Sequence, residues 1–456
     1  MDNQLYCGAA REIITPPKNL LKNLRGLMDS RFGGIVDDLY VRAVALESGE
    51  RKMLLLSFDL DKVPNPKENL EFLEKHTQVA QDYILLASIH THSAPVTGDR
   101  PYEGPNYIAR KPAEVQLATR KYEQLIQEKM LSAAKKALEG LVPAVCGYGY
   151  GKSFVNVNRI GLYEVTGQQG KTEIQLGTGT NFEREADRAL FVMKFETLEG
   201  DPIAFFMNYP VHNTVMILNG CGKAGRVGIT ADLGGNVSKY MEKAYEGCVA
   251  IWSSGAAGDL NPVMSNQVYR EDPVSGAPVE CYEKEGSIAL SMLKTLAAHH
   301  FADVKRTVRR IQSTRRDIAL SAGTNWADTP GKDENGNPVP YKVRVHKIQI
   351  GPVALMGFSG ELYSGLGKEL RQRSSEQNLI FVNHDASLLY NTGYIYGDDI
   401  FALKEQYAGE IVGMNHTWLQ PGYIADALSD CMEELLEKQS GNGWDNGNRT
   451  KKAEDK

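Results

Sequence analysis

The chain contains no apolar run long enough to cross a bilayer, and Met1 to Pro17 lacks the charged leader and apolar stretch of a signal peptide. The expectation is therefore a chain with no membrane-spanning helix and no secretion signal. The six cysteines, Cys7, Cys146, Cys221, Cys248, Cys281 and Cys431, include no CxxC pair, so neither a zinc ribbon nor a redox dithiol is expected. Mixed charges summing to −6, with no basic block, exclude the electrostatic footprint of a nucleic-acid partner. The resulting expectation is a reduced, cytoplasmic protein that acts on a small molecule.

With 456 residues the chain can bury a sizeable core. Arg42–Leu46 and Met53–Phe58 read as strands joined through Ser48-Gly49-Glu50. Ala118, Tyr122, Leu125, Ile126, Ala133, Ala134 and Ala137 form a helical stripe between Ala113 and Leu138, closed by Gly140 and Pro143. Further helices are expected from Asp232 to Tyr245, Glu283 to His300 and Ile424 to Lys438, with His299 and His300 as solvated residues at a helix end. Gly323 to Pro340, rich in Asp, Gly, Asn and Pro, reads as a surface loop or lid, and 160–182 as another loop near the pocket.

Strand and helix patterns alternate without a linker. The predicted fold is α/β: a single large domain over residues 1–440 with a mixed central sheet flanked by helices, followed by a disordered polar tail over 441–456.

Chemistry-bearing residues recur just past apolar runs. Tyr83–Ala87 leads into Ser88-Ile89-His90-Thr91-His92-Ser93, Ile203–Tyr209 into Pro210-Val211-His212, and Val353–Phe358 into Ser359-Gly360-Glu361. Open α/β sheets place their sites at the carboxyl ends of strands, where side chains can converge on a crevice. Two histidines and a carboxylate with one position left open form a recurrent ligand set for catalytic zinc. A packed histidine and a capping glutamate are the alternative. Asp59, Asp61, Asp232 and Asp259 are candidates for orienting the imidazoles, or else turn and cap residues. Ser93 beside His92 is a poor nucleophile, because neighbouring strand residues face opposite ways and no GxSxG elbow is present.

Several segments together resemble the catalytic domain of the neutral, non-lysosomal ceramidase family. They are Gly8–Pro16, Ser88–Pro95, Asn156-Val157-Asn158-Arg159, Asn208–His212, Gly258–Pro262, Ser359-Gly360-Glu361, and Gly393-Tyr394-Ile395 followed by Tyr407. The resemblance spans about residues 5 to 425 in the family's order, with His-Thr-His-Ser its most specific piece. It implies one catalytic zinc ion held by His90, His212, Glu361 and Tyr394, with Tyr396 as a competing assignment for the tyrosine. It further implies His92 and Arg159 beside the reacting amide and Tyr407 facing the substrate.

The chain departs from the family pattern in three respects. Asn261 stands where the ceramidases have a serine, and its amide cannot act as a serine-like nucleophile. Water must then attack, and zinc can activate it by lowering its pKa to roughly 7. Asn261 is left to orient substrate or donate to the oxyanion. The sequence ends soon after the catalytic segment, and it shows neither a secretion signal nor a basic amphipathic helix, so ceramide itself is doubtful.

The expected function is a zinc-dependent hydrolase of a linear amide in a soluble substrate. An esterase, a metal-assisted lyase or epimerase, and a non-catalytic binding protein are the alternatives. The acyl and amine groups and the oligomeric state are not readable from the sequence.

Overall fold

The computed structural model describes residues 4–98, 107–166, 170–282, 285–333, 335–386, 393–411 and 419–437. The predicted tail over 441–456 lies outside these residues.

An eight-stranded mixed sheet forms from Val249–Ser254, Pro202–Tyr209, Ala189–Thr197, Val142–Lys152, Leu5–Ile13, Tyr40–Ser48, Arg51–Phe58 and Ile84–Ser88, in that order. Most neighbours are antiparallel, but Arg51–Phe58 runs parallel to Ile84–Ser88, and Pro202–Tyr209 parallel to Val249–Ser254. Met53 to Phe58 and Ile84 to Ser88 are buried throughout, which is why they read as continuous apolar runs rather than alternating ones.

A second sheet, in the order Leu320–Lys332, Pro338–Ile350, Val353–Phe358 and Leu379–Val382, packs face to face on the first. Leu5, Val44, Leu55 and Leu85 of the large sheet meet Leu320, Ile348, Leu355 and Val382 of the smaller one in a single apolar cluster. Helices cover the outer faces. Ala113–Glu139, Asp232–Ala244 and Gly286–Val308 pack on the large sheet, and Ser364–Arg373 and Ile424–Glu437 on the small one. The mixed α/β organisation with flanking helices is as expected, and its centre holds two stacked sheets.

The helix Ala113–Glu139 lies close against Leu5–Ile13 through Ala133, Ala134 and Ala137. That closeness fixes Gly8: a Cβ there would sit 2.1 Å from the Ala137 carbonyl oxygen. The opening Gly-Ala-Ala segment is therefore a packing requirement.

Three expectations are corrected. Gly323 to Pro340 is not a loop or lid; it belongs to the long hairpin of Leu320–Lys332 and Pro338–Ile350. Likewise 160–182 falls largely within the hairpin Asn156–Thr166 and Thr172–Asn181. In both, cross-strand hydrogen bonding holds sequences whose polar composition reads as loop. His299 and His300 do not end a helix, because Gly286–Val308 continues past them. His300 is fully buried, accepts from Trp252 Nε1 at 3.3 Å, and lies 3.0 Å from Ser153 Oγ.

Candidate metal centre

Both sheets send residues to one place. His90 follows Ile84–Ser88 in the left-handed region, with φ 63°. Its Nδ1 lies 3.0 Å from the Asp61 carbonyl oxygen and 2.8 Å from Asp61 Oδ1. With its proton committed to Asp61, the ring turns Nε2 towards the centre as an acceptor. His212 follows Pro202–Tyr209, and its Nδ1 faces the carbonyls of Ala257 and Leu260 at 2.8 and 3.2 Å.

Glu361 opens the short strand Glu361–Leu362, parallel to Tyr394–Ile395, and its backbone N–H donates to the Gly393 carbonyl at 3.0 Å. Its Oε2 lies 3.1 Å from His212 Nε2 and 3.6 Å from His90 Nε2. Tyr394 hydrogen-bonds both Glu361 and Arg159 through its side chain, and its ring stacks 6.3 Å from that of His212. Tyr396 instead packs on Tyr363 and Phe401, at 5.5 and 5.1 Å between ring centres.

His92 Nε2 is 3.0 Å from His90 Nε2, with the two rings edge to face. Burial, then the neighbouring His90, lowers the His92 pKa well below the ordinary imidazole value. Burial also pushes His90 down, but Glu361 and Asp61 outweigh it and the net shift is upward. For Glu361, burial raises the pKa, yet His90 and His212 together hold the carboxyl well below the usual range. His212 is lowered to about 4 by burial and by Arg159.

Arg159, on Asn156–Thr166, is buried and centred 5.3 Å over the Tyr394 ring. It donates to the Gly258 carbonyl and, at 3.4 Å, to Asn261 Oδ1, while Nε has no partner among the described residues. The small-residue segment after Val249–Ser254 makes this contact possible. It threads between His212 and Arg159 so tightly that a Cβ on Gly258 would meet Tyr363 at 2.3 Å.

The four acidic candidates separate by role. Only Asp61 touches an imidazole of the centre. Asp59 pairs with Arg42 at 2.9 Å. Asp232 accepts from the backbone N–H groups of Val215, Met216 and Leu233. Asp259 receives Asn158 Nδ2 and both the N–H and Oγ of Ser364. Ser93 Oγ donates to the Met216 carbonyl at 2.7 Å, a structural bond. Tyr407 packs against the apolar cluster that contains Tyr394 and Tyr363.

Sequence reasoning missed His384. It follows Leu379–Val382, stacks on His90 at 3.9 Å with 15° between ring planes, and shares with His90 and Glu361 a group of ligand atoms within 4.8 Å of one another. The rule that found His90, His212 and Glu361 applies equally to Leu379-Ile380-Phe381-Val382-Asn383-His384.

A metal ion fits the donor set. Bonds of about 2.0–2.1 Å arranged tetrahedrally require donor spacings of about 3.3–3.4 Å. The 3.1 and 3.6 Å separations of Glu361 Oε2 from the two imidazole nitrogens bracket that figure. Imidazole and carboxylate donors together suit zinc and other first-row divalent ions.

No protein-family model matches the chain, and no curated protein matches it. Solved structures do. The neutral ceramidase from Pseudomonas aeruginosa superposes with a TM-score of 0.66 at 15% identity, over 96% of this chain and 74% of that one. A ceramidase complexed with C2 superposes with a TM-score of 0.68 at 16% identity, over 96% of this chain and 76% of that one. Over nearly its whole length, this chain has the fold of the neutral ceramidases.

Proposed function

We propose that the protein is a zinc-dependent hydrolase that cleaves a linear amide in a soluble small molecule, with water as nucleophile. The observation that carries this reading is the approach of His212 Nε2 to Glu361 Oε2 at 3.1 Å while His212 Nδ1 faces two carbonyls. Two acceptor lone pairs then point at each other in a buried site, and a cation between them turns repulsion into ligation. The fold shared with ceramidases, enzymes of amide hydrolysis, supports the reaction class.

His90, His212, Glu361 and Tyr394 are the residues that would hold the metal. When bound, zinc polarises the amide carbonyl and lowers the pKa of a water to roughly 7. Asp61 keeps His90 in the tautomer that leaves Nε2 inward. His92 stands beside the residues that would hold the metal, placed either to hydrogen-bond the carbonyl oxygen as it gains charge or to take the proton released by the attacking water and pass it to the leaving amine. Arg159 offers a fixed positive group to the same oxygen, steadied by Asn261 and the Gly258 carbonyl. Tyr407, packed against the apolar cluster that contains Tyr394, would face the substrate. All six cysteines are free, which agrees with a reducing compartment such as the cytoplasm.

Metal analysis of the purified protein beside His212→Ala, with an amide and ester screen on both, tests the proposal. Stoichiometric zinc in the wild type, its loss in the variant and amide turnover that tracks metal content are expected. Full turnover after complete metal removal overturns the metal role. Solvent deuterium entering a substrate carbon without hydrolysis overturns the reaction class in favour of a lyase or epimerase. Faster turnover of micellar ceramide than of water-soluble amides overturns the substrate class.

A further inference from the structure

His384 has no place in the ligand set or in the proton-handling roles above, yet its surroundings are built. It is buried, with φ 63°, a left-handed conformation that a non-glycine residue holds only when its environment over-determines it. His90, the residue it stacks upon, holds the same unusual conformation. One histidine comes from the end of a strand in the large sheet and the other from the end of a strand in the small sheet. Their ring faces meet where the two sheets converge.

The segment behind His384 is clamped to both sheets through Asp385. Asp385 Oδ2 receives Arg344 Nη1 at 3.0 Å and lies 2.6 Å from His346 Nδ1, both on Pro338–Ile350. Asp385 Oδ1 accepts the Leu86 backbone N–H at 3.1 Å, from within Ile84–Ser88, the strand that delivers His90. The Ala386 N–H donates to the Leu86 carbonyl and the Ser88 N–H to the His384 carbonyl, at 2.9 and 3.4 Å. Thus three hydrogen bonds tie the strand that presents His90 to the turn that presents His384, and two contacts of Asp385 tie that turn to Pro338–Ile350.

We propose that His384 is a positioning residue for the metal centre, which acts by stacking its ring on His90 and so fixes the direction of His90 Nε2. The inference rests on the zinc reading of the site. Coplanar stacking argues against ligation by His384 itself. At 15° between planes and 3.9 Å between centres, in-plane lone pairs of the two rings run in parallel planes rather than converging as ligands to one ion do. Its Nδ1 has no hydrogen-bond partner among the described residues, so no polar role there accounts for the placement. A flat ring over an imidazole that carries a cation is stabilised by the ring's electron-rich face. Asp61 fixes the in-plane rotation of His90 and the stack fixes its tilt; both are needed to aim one lone pair.

The test compares His384→Phe, which keeps a flat ring and loses both nitrogens, with His384→Gln, which keeps polar atoms and loses the ring. Zinc affinity is measured by competition with a chelator, and the visible spectrum of the cobalt-substituted protein reports ligand geometry. Stacking requires that Phe stay within about threefold of the wild-type affinity with an unchanged cobalt spectrum, and that Gln lose about 10- to 100-fold with an altered spectrum. Equal loss in Phe and Gln overturns the proposal in favour of ligation or a polar role; wild-type affinity in Gln overturns it outright. Circular dichroism and melting of both variants separate a folding defect from a site defect. Absence of metal binding by the wild type brings down the zinc reading and this inference together, whereas unchanged binding in Gln removes this inference alone.

Discussion

Asp61 closes on His90 from two directions, its Oδ1 2.8 Å and its carbonyl oxygen 3.0 Å from the same imidazole nitrogen. The carbonyl also accepts the Ser88 Oγ–H at 2.9 Å, so the residue that orients the imidazole is itself held by the strand that delivers it. Partners of this kind set tautomer, ring direction and ligand basicity. Asp61→Ala is expected to weaken zinc binding about 10- to 100-fold without loss of fold. Chelator competition together with circular dichroism checks it.

The two candidate tyrosines are separable by their surroundings. Tyr394 bonds Glu361 and Arg159, whereas Tyr396 packs on Tyr363 and Phe401. Tyr394→Phe is expected to lower metal affinity and turnover, and Tyr396→Phe to leave metal content intact and shift only the melting temperature. Zinc stoichiometry after dialysis of both variants distinguishes the assignments.

Arg159 sits beside the proposed metal-holding residues without belonging to them, and its charge is buried against neutral oxygen atoms. Arg159→Met is expected to retain stoichiometric zinc and to reduce kcat/KM about 100- to 1000-fold, the scale for removing one preorganised donor to a developing oxyanion. Steady-state kinetics on a soluble amide, with metal content measured in parallel, provides the check.

His300 gives the protein an acid-sensitive core. Burial lowers its pKa to about 3 from the ordinary 6.5, so the folded chain keeps it neutral while the unfolded chain takes up a proton as pH falls through 6.5. More protons on the unfolded state mean that stability is lost on acidification, from about pH 6.5 down to about 3, at up to about 1.4 kcal/mol per pH unit from this group. His300→Gln removes that contribution, and urea unfolding between about pH 6 and about pH 4 is expected to show a shallower loss than in the wild type.

Gly8 tests the reading of its segment as packing. A methyl group there collides with the Ala137 carbonyl oxygen, and neither the strand nor the helix can move without disturbing Ala133 and Ala134. Gly8→Ala is expected to destabilise the fold by about 1–3 kcal/mol, the usual cost of overpacking. Zinc affinity measured below the melting transition should be unchanged.

Strand ends are legible from local residue pattern. Buried strand positions are filled mainly by apolar residues, so the runs Tyr83–Ala87, Ile203–Tyr209 and Val353–Phe358 stand out, and a histidine or carboxylate within a few residues of each is conspicuous. The helix Ala113–Glu139 was legible for the same local reason, its small residues recurring with the helical period. His384 obeys the same rule, two residues past the apolar strand Leu379–Val382.

Tertiary structure alone decided the rest. His90 and Glu361 are 271 positions apart and come from different sheets, and nothing local states that the two sheets stack face to face. The hairpin arms around Gly323 to Pro340 carry turn-forming residues and become strands only through hydrogen bonds to each other and to Val353–Phe358. His300 looks like an exposed residue next to His299 until Trp252 and Ser153 are seen around it. Patterning records how a segment meets its own immediate surroundings, whereas a site is made by which distant segments are brought together, and that is fixed by the packing of the two sheets.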